Sequence, residues 1–155
     1  MIDLKAIEDF FFEASRKTYA GQAAKETIPA LPGSKTFRYE RDNFLYLDTY
    51  FTHGEKSFGQ TIIYFNGQPV WMMQYYGFDK VDDKRVIPFL KKALLSAYEN
   101  NSFVGGRGPA HFSEGILQYR NMISRSRFED FEGEEIIAEN HITLFWHGYR
   151  GMALI

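Results

Sequence analysis

A stripe of side chains recurs at steps of three and four over residues 3–18, carrying Leu4, Ile7, Phe11, Ala14 and Thr18 and widened by Phe10. It predicts an amphipathic helix with Asp3 as N-cap and Gly21 as a stop just past its end. Residues 21–35 hold Gly21, Pro29, Pro32, Gly33 and Ser34 without a period and predict a loop. Strand-like runs follow at about 36–41, 44–52, 59–66 and 69–76, with turns at Asn43 and at His53-Gly54-Glu55. Asn66-Gly67 between two such runs is a hairpin signal, because a type I′ turn needs positive φ at both positions. A second helix is predicted over 83–99. Asp82 and Asp83 favour its start, Ile87, Leu90, Leu94 and Ala97 line one face, and Pro88 falls in the first turn, where it breaks no hydrogen bond. After the loop Gly105-Gly106-Arg107-Gly108-Pro109, further strands are expected at about 115–122, 126–132, 134–140 and 142–149.

The two strand sets look like copies. Moving residues 59–77 by 74 positions pairs Gly59 with Gly133, Ile62 with Ile136, Asn66 with Asn140, Trp71 with Phe145, Tyr75 with Tyr149 and Gly77 with Gly151. Upstream, a shift of 79 pairs Phe10 with Phe89, Ala14 with Ala93 and Tyr19 with Tyr98. The expected fold is therefore α+β: an antiparallel β-sheet with two helices on one face, a duplicated helix–β-meander unit with halves at about 3–77 and 83–151.

Composition narrows the function classes. At 155 residues the chain fits one domain, 1–155, and can bury roughly two thirds of its unfolded surface. Hydrophobic residues at 45% exclude disorder, and 17% aromatic content favours sheets, where rings fit the pleat. The net charge of −2, with both signs scattered, supplies no basic field for phosphate backbones, so no direct binding of nucleic acid is expected. The absence of Cys removes disulfides, thiolate metal sites and a cysteine nucleophile. No signal sequence or membrane span is visible, which points to a reducing cytoplasm.

Candidate chemistry is sparse. His141 and His147 are about 20 Å apart along a straight strand, too far to share a metal. His53 and His111 fall beside turns or in loops, and no metal site or cofactor is expected. Ser113, Ser124 and Ser126 lack a nucleophile-elbow context, and Gly105 to Gly108 lacks the Lys-Ser/Thr of a P-loop. No catalytic residue is assigned. Arg107 is suited to a carboxylate, either a ligand's or one within the protein. Along residues 44–51, one face carries Leu45, Leu47, Thr49 and Phe51 and is expected to meet the helices. The other carries Phe44, Tyr46, Asp48 and Tyr50, and Trp71, Met73 and Tyr75 alternate likewise, as do Phe145, His147 and Tyr149. An aromatic face with a few polar groups suits a small-molecule ligand. A homodimer interface and a half-solvated surface remain its alternatives.

The combination of Ala14-x-x-x-Thr18-Tyr19-Ala20, Tyr46-x-Asp48-Thr49-Tyr50, Pro69-Val70-Trp71-x-Met73-x-Tyr75-x-Gly77, Arg107-Gly108-Pro109, Phe131-x-Gly133-x-Glu135 and His147-Gly148 resembles a bacterial domain family of unknown function. Its members occur alone or behind helix-turn-helix DNA-binding domains of the XRE class. The likeness departs after Gly148, where the family tends to a second Gly and this chain has Tyr149. The resemblance implies an intracellular domain with an effector or accessory part in transcriptional control, and it implies no activity. The expected function is non-enzymatic sensing of a small ligand, or partner binding, through Tyr46, Asp48, Tyr50, Trp71 and Tyr75, with Arg107 and His147 as further candidates. The alternative is a small hydrolase or isomerase with Asp48 or Glu135 as acid-base and His147 as its partner.

Overall fold

The computed structural model describes residues 2–21 and 23–155. Helix α1 (Leu4–Lys17) starts where the Asp3 carboxylate accepts the Ala6 amide at 2.7 Å, satisfying one of the free N–H groups of the first turn. It buries Ile7, Phe10, Phe11, Phe12 and Ala14. Helix α2 (Val86–Glu99) begins three residues later than residue 83, because Asp83 turns back to accept the Arg85 amide and side chain. Pro88 lies in its first turn.

Strands β1 (Lys35–Arg41), β2 (Phe44–His53), β3 (Lys56–Phe65) and β4 (Gln68–Asp79) follow the predicted runs. The second set differs: β5 (His111–Glu114), β6 (Leu117–Arg127), β7 (Asp130–Glu139) and β8 (Ile142–Ala153). Gly115, at φ +61, makes a turn where a strand start was expected. Gly133, expected between strands, sits in mid-β7, where the missing side chain makes room for a ring rather than a turn.

All eight strands form one antiparallel sheet in the order β1-β2-β3-β4-β8-β7-β6-β5. The β3–β4 hairpin pairs Gly59 with Tyr75 and Ile63 with Trp71; β7–β8 pairs Gly133 with Tyr149 and Ile137 with Phe145, each residue 74 positions on. Both ladders slip register at matching places, after Ile63 and after Ile137. Both tips turn through positive φ, at Asn66 (50°) and Gly67 (77°) and at Asn140 (47°) and His141 (70°). His141 is thus a turn residue and not a strand neighbour of His147. The hairpins meet where β4 pairs β8 with Tyr75 opposite Tyr149, so a local two-fold axis between those residues relates them. The helices run from Leu4 to Lys17 and from Val86 to Glu99, an offset of 82 rather than the 79 of the upstream pairing.

Both helices cover one face of the sheet, and it is the face opposite to the one expected. Phe44, Tyr46, Asp48, Trp71, Met73, Tyr75, Phe145, His147 and Tyr149 are buried beneath the helices, while Phe51, Phe58, Tyr76, Met122 and Met152 stand exposed on the outside. Rings hold more apolar area than the competing Leu and Thr side chains, so burying the ring face is the more favourable choice. Phe10 of α1 stacks on Phe44 at 4.6 Å, and Phe11 meets Trp71 at 5.0 Å. A face closed in this way is not available to a second copy, which removes the dimer alternative for these residues. Among the described residues no helix is long and apolar enough to cross a membrane.

Glycines set the relief of the inner face. A Cβ on Gly59 would lie 2.5 Å from the Tyr75 ring, and one on Gly133 would lie 2.3 Å from the Tyr149 hydroxyl and 2.7 Å from the Met122 carbonyl. Each tyrosine therefore lies flat across its neighbouring strand. Gly133→Ala should destabilise the protein by about 1–3 kcal/mol, the usual range for overpacking, as read from a urea titration. An unchanged midpoint would show that Tyr149 does not occupy that place.

Candidate functional site: a cavity between the helices and the sheet

A cavity of about 290 Å³ opens between the helices and the inner face over β2, β3, β4 and β8. Of the candidate residues, Tyr46, Asp48, Tyr50, Tyr75, Arg107 and His147 line it. Trp71 does not. Its indole is fully buried, stacked on Phe128 and Phe131 at 5.3 Å each, and its Nε1 donates to the Phe128 carbonyl at 3.0 Å. It belongs to the core.

Asp48 lies beneath the helices yet at the wall of the cavity. Tyr75 donates to its Oδ1 at 2.6 Å and Thr61 at 3.2 Å, and among the described residues none donates to Oδ2. Burial pushes its carboxyl above the ordinary range, against the hydrogen bonds from Tyr75 and Thr61 and the nearby charge of Arg107. The corresponding place in the second half is built alike and filled. Thr61 and Glu135 are 74 apart, and their partners on the adjoining strand are Asp48 and Asn121. Tyr149 donates to Asn121 Oδ1 at 2.6 Å, as Tyr75 does to Asp48. There the loop after α2 descends on the sheet: Asn121 Nδ2 donates to the carbonyls of Val104 (2.7 Å) and Gly108 (2.9 Å). The Gly108 amide donates to the Tyr119 hydroxyl at 3.0 Å. Arg107 sends Nε (2.8 Å) and Nη2 (2.6 Å) to Glu135 Oε1, and Tyr119 donates to Oε2 at 2.6 Å. The Arg107 carboxylate partner is thus internal, and Glu135 is fully buried with both oxygens engaged. Glu135 is thereby unsuited to the acid-base role considered for it.

His147 reaches across a strand. Gly77 of β4 pairs with Ser57 on one side and with His147 on the other, and a Cβ there would meet the His147 ring at 2.7 Å. With no side chain in the way, His147 Nε2 lies 2.9 Å from Ser57 Oγ, and the ring stacks on Tyr75 at 5.9 Å. Among the described residues its Nδ1 has no hydrogen-bond partner, whichever tautomer is present. Glu135 Oε1 is 3.8 Å away, beyond hydrogen-bond reach and already neutralised by Arg107. Burial and the Arg107 charge lower the His147 pKa from 6.5 to about 3, so the ring is neutral near pH 7. Among the described residues no group of three or more His, Cys, Asp or Glu side chains could hold a metal ion.

Sequence reasoning overlooked Ser57 and Thr61. They share alternate positions of β3 with Gly59, and such small residues beside Tyr46, Asp48 and Tyr50 are the pattern that leaves space. It also overlooked Lys25, Lys35 and Lys91, which come to the cavity rim from a loop, β1 and α2 and carry no common sequence signal.

Residues 48–154 match the model of a Domain of unknown function (DUF5680), more than half of the chain. The chain belongs to the DUF5680 family. The matched segment begins at Asp48 and includes Thr61, Tyr75, Arg107, Glu135 and His147, whereas α1, β1 and Tyr46 lie before it. Searches among curated proteins and among solved structures each returned no match.

The His147 environment of this DUF5680 chain has a pH signature. The unfolded chain binds a proton at this residue below pH 6.5 and the folded one only near 3, so its contribution to stability is complete above 6.5 and is lost as pH falls. The slope from this group approaches about 1.4 kcal/mol per pH unit. Asp48 acts in the opposite sense, its raised pKa costing stability as pH rises above 3.8. Chemical denaturation from pH 4 to 7 should therefore show a shallower fall toward acid for His147→Gln than for the wild type. Parallel curves would contradict the neutral buried ring.

Proposed function

We propose that this chain is a non-enzymatic small-ligand-sensing domain whose binding site is the cavity over β2, β3, β4 and β8. The observation that carries this reading is the difference between two like-built places. Beside Asn121 the polar wall is plugged by the loop 104–108, while beside Asp48 the like arrangement of a side-chain oxygen accepting from a tyrosine faces the cavity. A carboxyl with one free oxygen, an imidazole with one free nitrogen and rings around them form the usual setting of a ligand site, apolar with a few fixed polar groups. In this reading the two halves are duplicated copies, of which one closed its site and one kept it. The domain works in a bacterial cytoplasm, reports to transcriptional control through a partner, and does not itself grip DNA or RNA, in keeping with its net charge of −2. The acid-base alternative rests on Asp48 alone, whose raised pKa suits proton transfer.

Asp48→Asn is the direct test. Thermal melts against a metabolite library should give hits for the wild type. The variant should bind those hits about ten- to a hundredfold more weakly, the usual worth of a charge-assisted hydrogen bond. A variant that melts lower but binds the same compounds equally well would make Asp48 a structural group only. Turnover of a hit would promote the enzyme reading.

A further inference from the structure

The rim of the cavity and its floor differ in charge. At the floor, Arg107 is neutralised by Glu135, and His147, 6% exposed, is uncharged with Nδ1 unpartnered. At the rim three ammonium groups converge on two touching rings. Lys25 and Lys35 stand over Tyr50 at 5.7 and 5.6 Å, Lys91 stands over Tyr19 at 4.8 Å, and Tyr19 meets Tyr50 edge-on at 6.3 Å. Among the described residues none of the three lysines forms an ion pair; Lys35 donates only to Thr52 Oγ1, at 2.9 Å. Among the described residues Asp79 is the one acidic side chain at the rim, where it feels the Lys35 charge, and Glu55 beside it is already paired with Lys80. Burial first, and then the Lys25 charge, lower the Lys91 pKa. Cation–π contact with tyrosine offsets this only in part.

In a chain whose acidic side chains outnumber its basic ones, 20 to 18, a rim that sets three ammonium groups against the one carboxylate of Asp79 over an aromatic cavity calls for a complementary ligand. We propose that the ligand is an amphipathic organic anion, its ring or apolar body inside the cavity and its single carboxylate, sulfonate or phosphate at the rim among Lys25, Lys35 and Lys91. The free His147 Nδ1 and Asp48 Oδ2 then meet a neutral polar group at the far end of the body. This inference rests on the cavity being the binding site.

Two fluorescent probes that share a ring system, anilinonaphthalene sulfonate and the uncharged phenylnaphthylamine, separate the two claims. At low ionic strength the wild type should bind the sulfonate about tenfold or more tightly than the neutral probe, and salt should shrink that gap. Lys25→Gln/Lys35→Gln/Lys91→Gln should bind both probes alike while keeping its affinity for the neutral one. Lys25→Glu alone, in an exposed loop where folding is not at stake, should already reduce the preference. Equal affinity of the two probes for the wild type, or a preference that survives in the triple variant, overturns the anion assignment and leaves the cavity reading standing. Failure of both probes to bind sinks the cavity reading and the anion assignment with it.

Discussion

The Arg107 guanidinium and the Glu135 carboxylate have to meet, because neither charge is tolerable alone beneath the helices. Glu135 is fixed on β7 in the middle of the sheet, so the loop that carries Arg107 must come down onto the second half. That descent places the carbonyls of Val104 and Gly108 on Asn121 and the Gly108 amide on Tyr119. The same guanidinium lies 5.1 Å above the Tyr75 ring and adds to the field that keeps His147 neutral. One ion pair thus closes half of the inner face, borders the cavity in the other half and sets the charge of its floor. Removing either partner alone would leave a buried charge, at a cost of roughly 3–5 kcal/mol.

The sheet supplies the second constraint. Gly59, Gly77, Gly133 and Gly151 take no room on the inner face, and Tyr75, His147, Tyr149 and Phe131 lie across them. The related hairpins therefore present like surfaces around the axis between Tyr75 and Tyr149. What separates the halves is a handful of side chains: Asp48 against Asn121, Thr61 against Glu135, Met73 against His147. In the second half Glu135 recruits the loop through Arg107 and His147 reaches across to Ser57, while the first half has the shorter Thr61 and the apolar Met73 at those places.

Much of this was legible in the residues. The Asp3 cap, the Asn66-Gly67 turn and the period of α1 are local signals, and local signals survive folding. Phe44, Tyr46, Asp48 and Tyr50 share one strand face as their alternation predicts, and Asp48, Tyr75 and His147 gather at one cavity. Which face meets the helices was misread, because period two gives alternation but not direction, and the larger rings won the covered side. Trp71 shared that alternation and proved to be core, since position on a face does not tell floor from cavity wall. The Arg107–Glu135 pair and the reach of His147 to Ser57 depend on strand order across the sheet, which no local pattern encodes.

The central claim is that ligands enter the covered face over the first half and not the exposed one. Methyl-labelled methionine NMR reads this directly, because Met73 lines the cavity while Met122 and Met152 stand exposed on the outer face. Titration with phenylnaphthylamine should shift the Met73 methyl resonance and leave those of Met122 and Met152 in place. Movement of Met122 or Met152 with Met73 unchanged would put binding on the outer face and contradict the account.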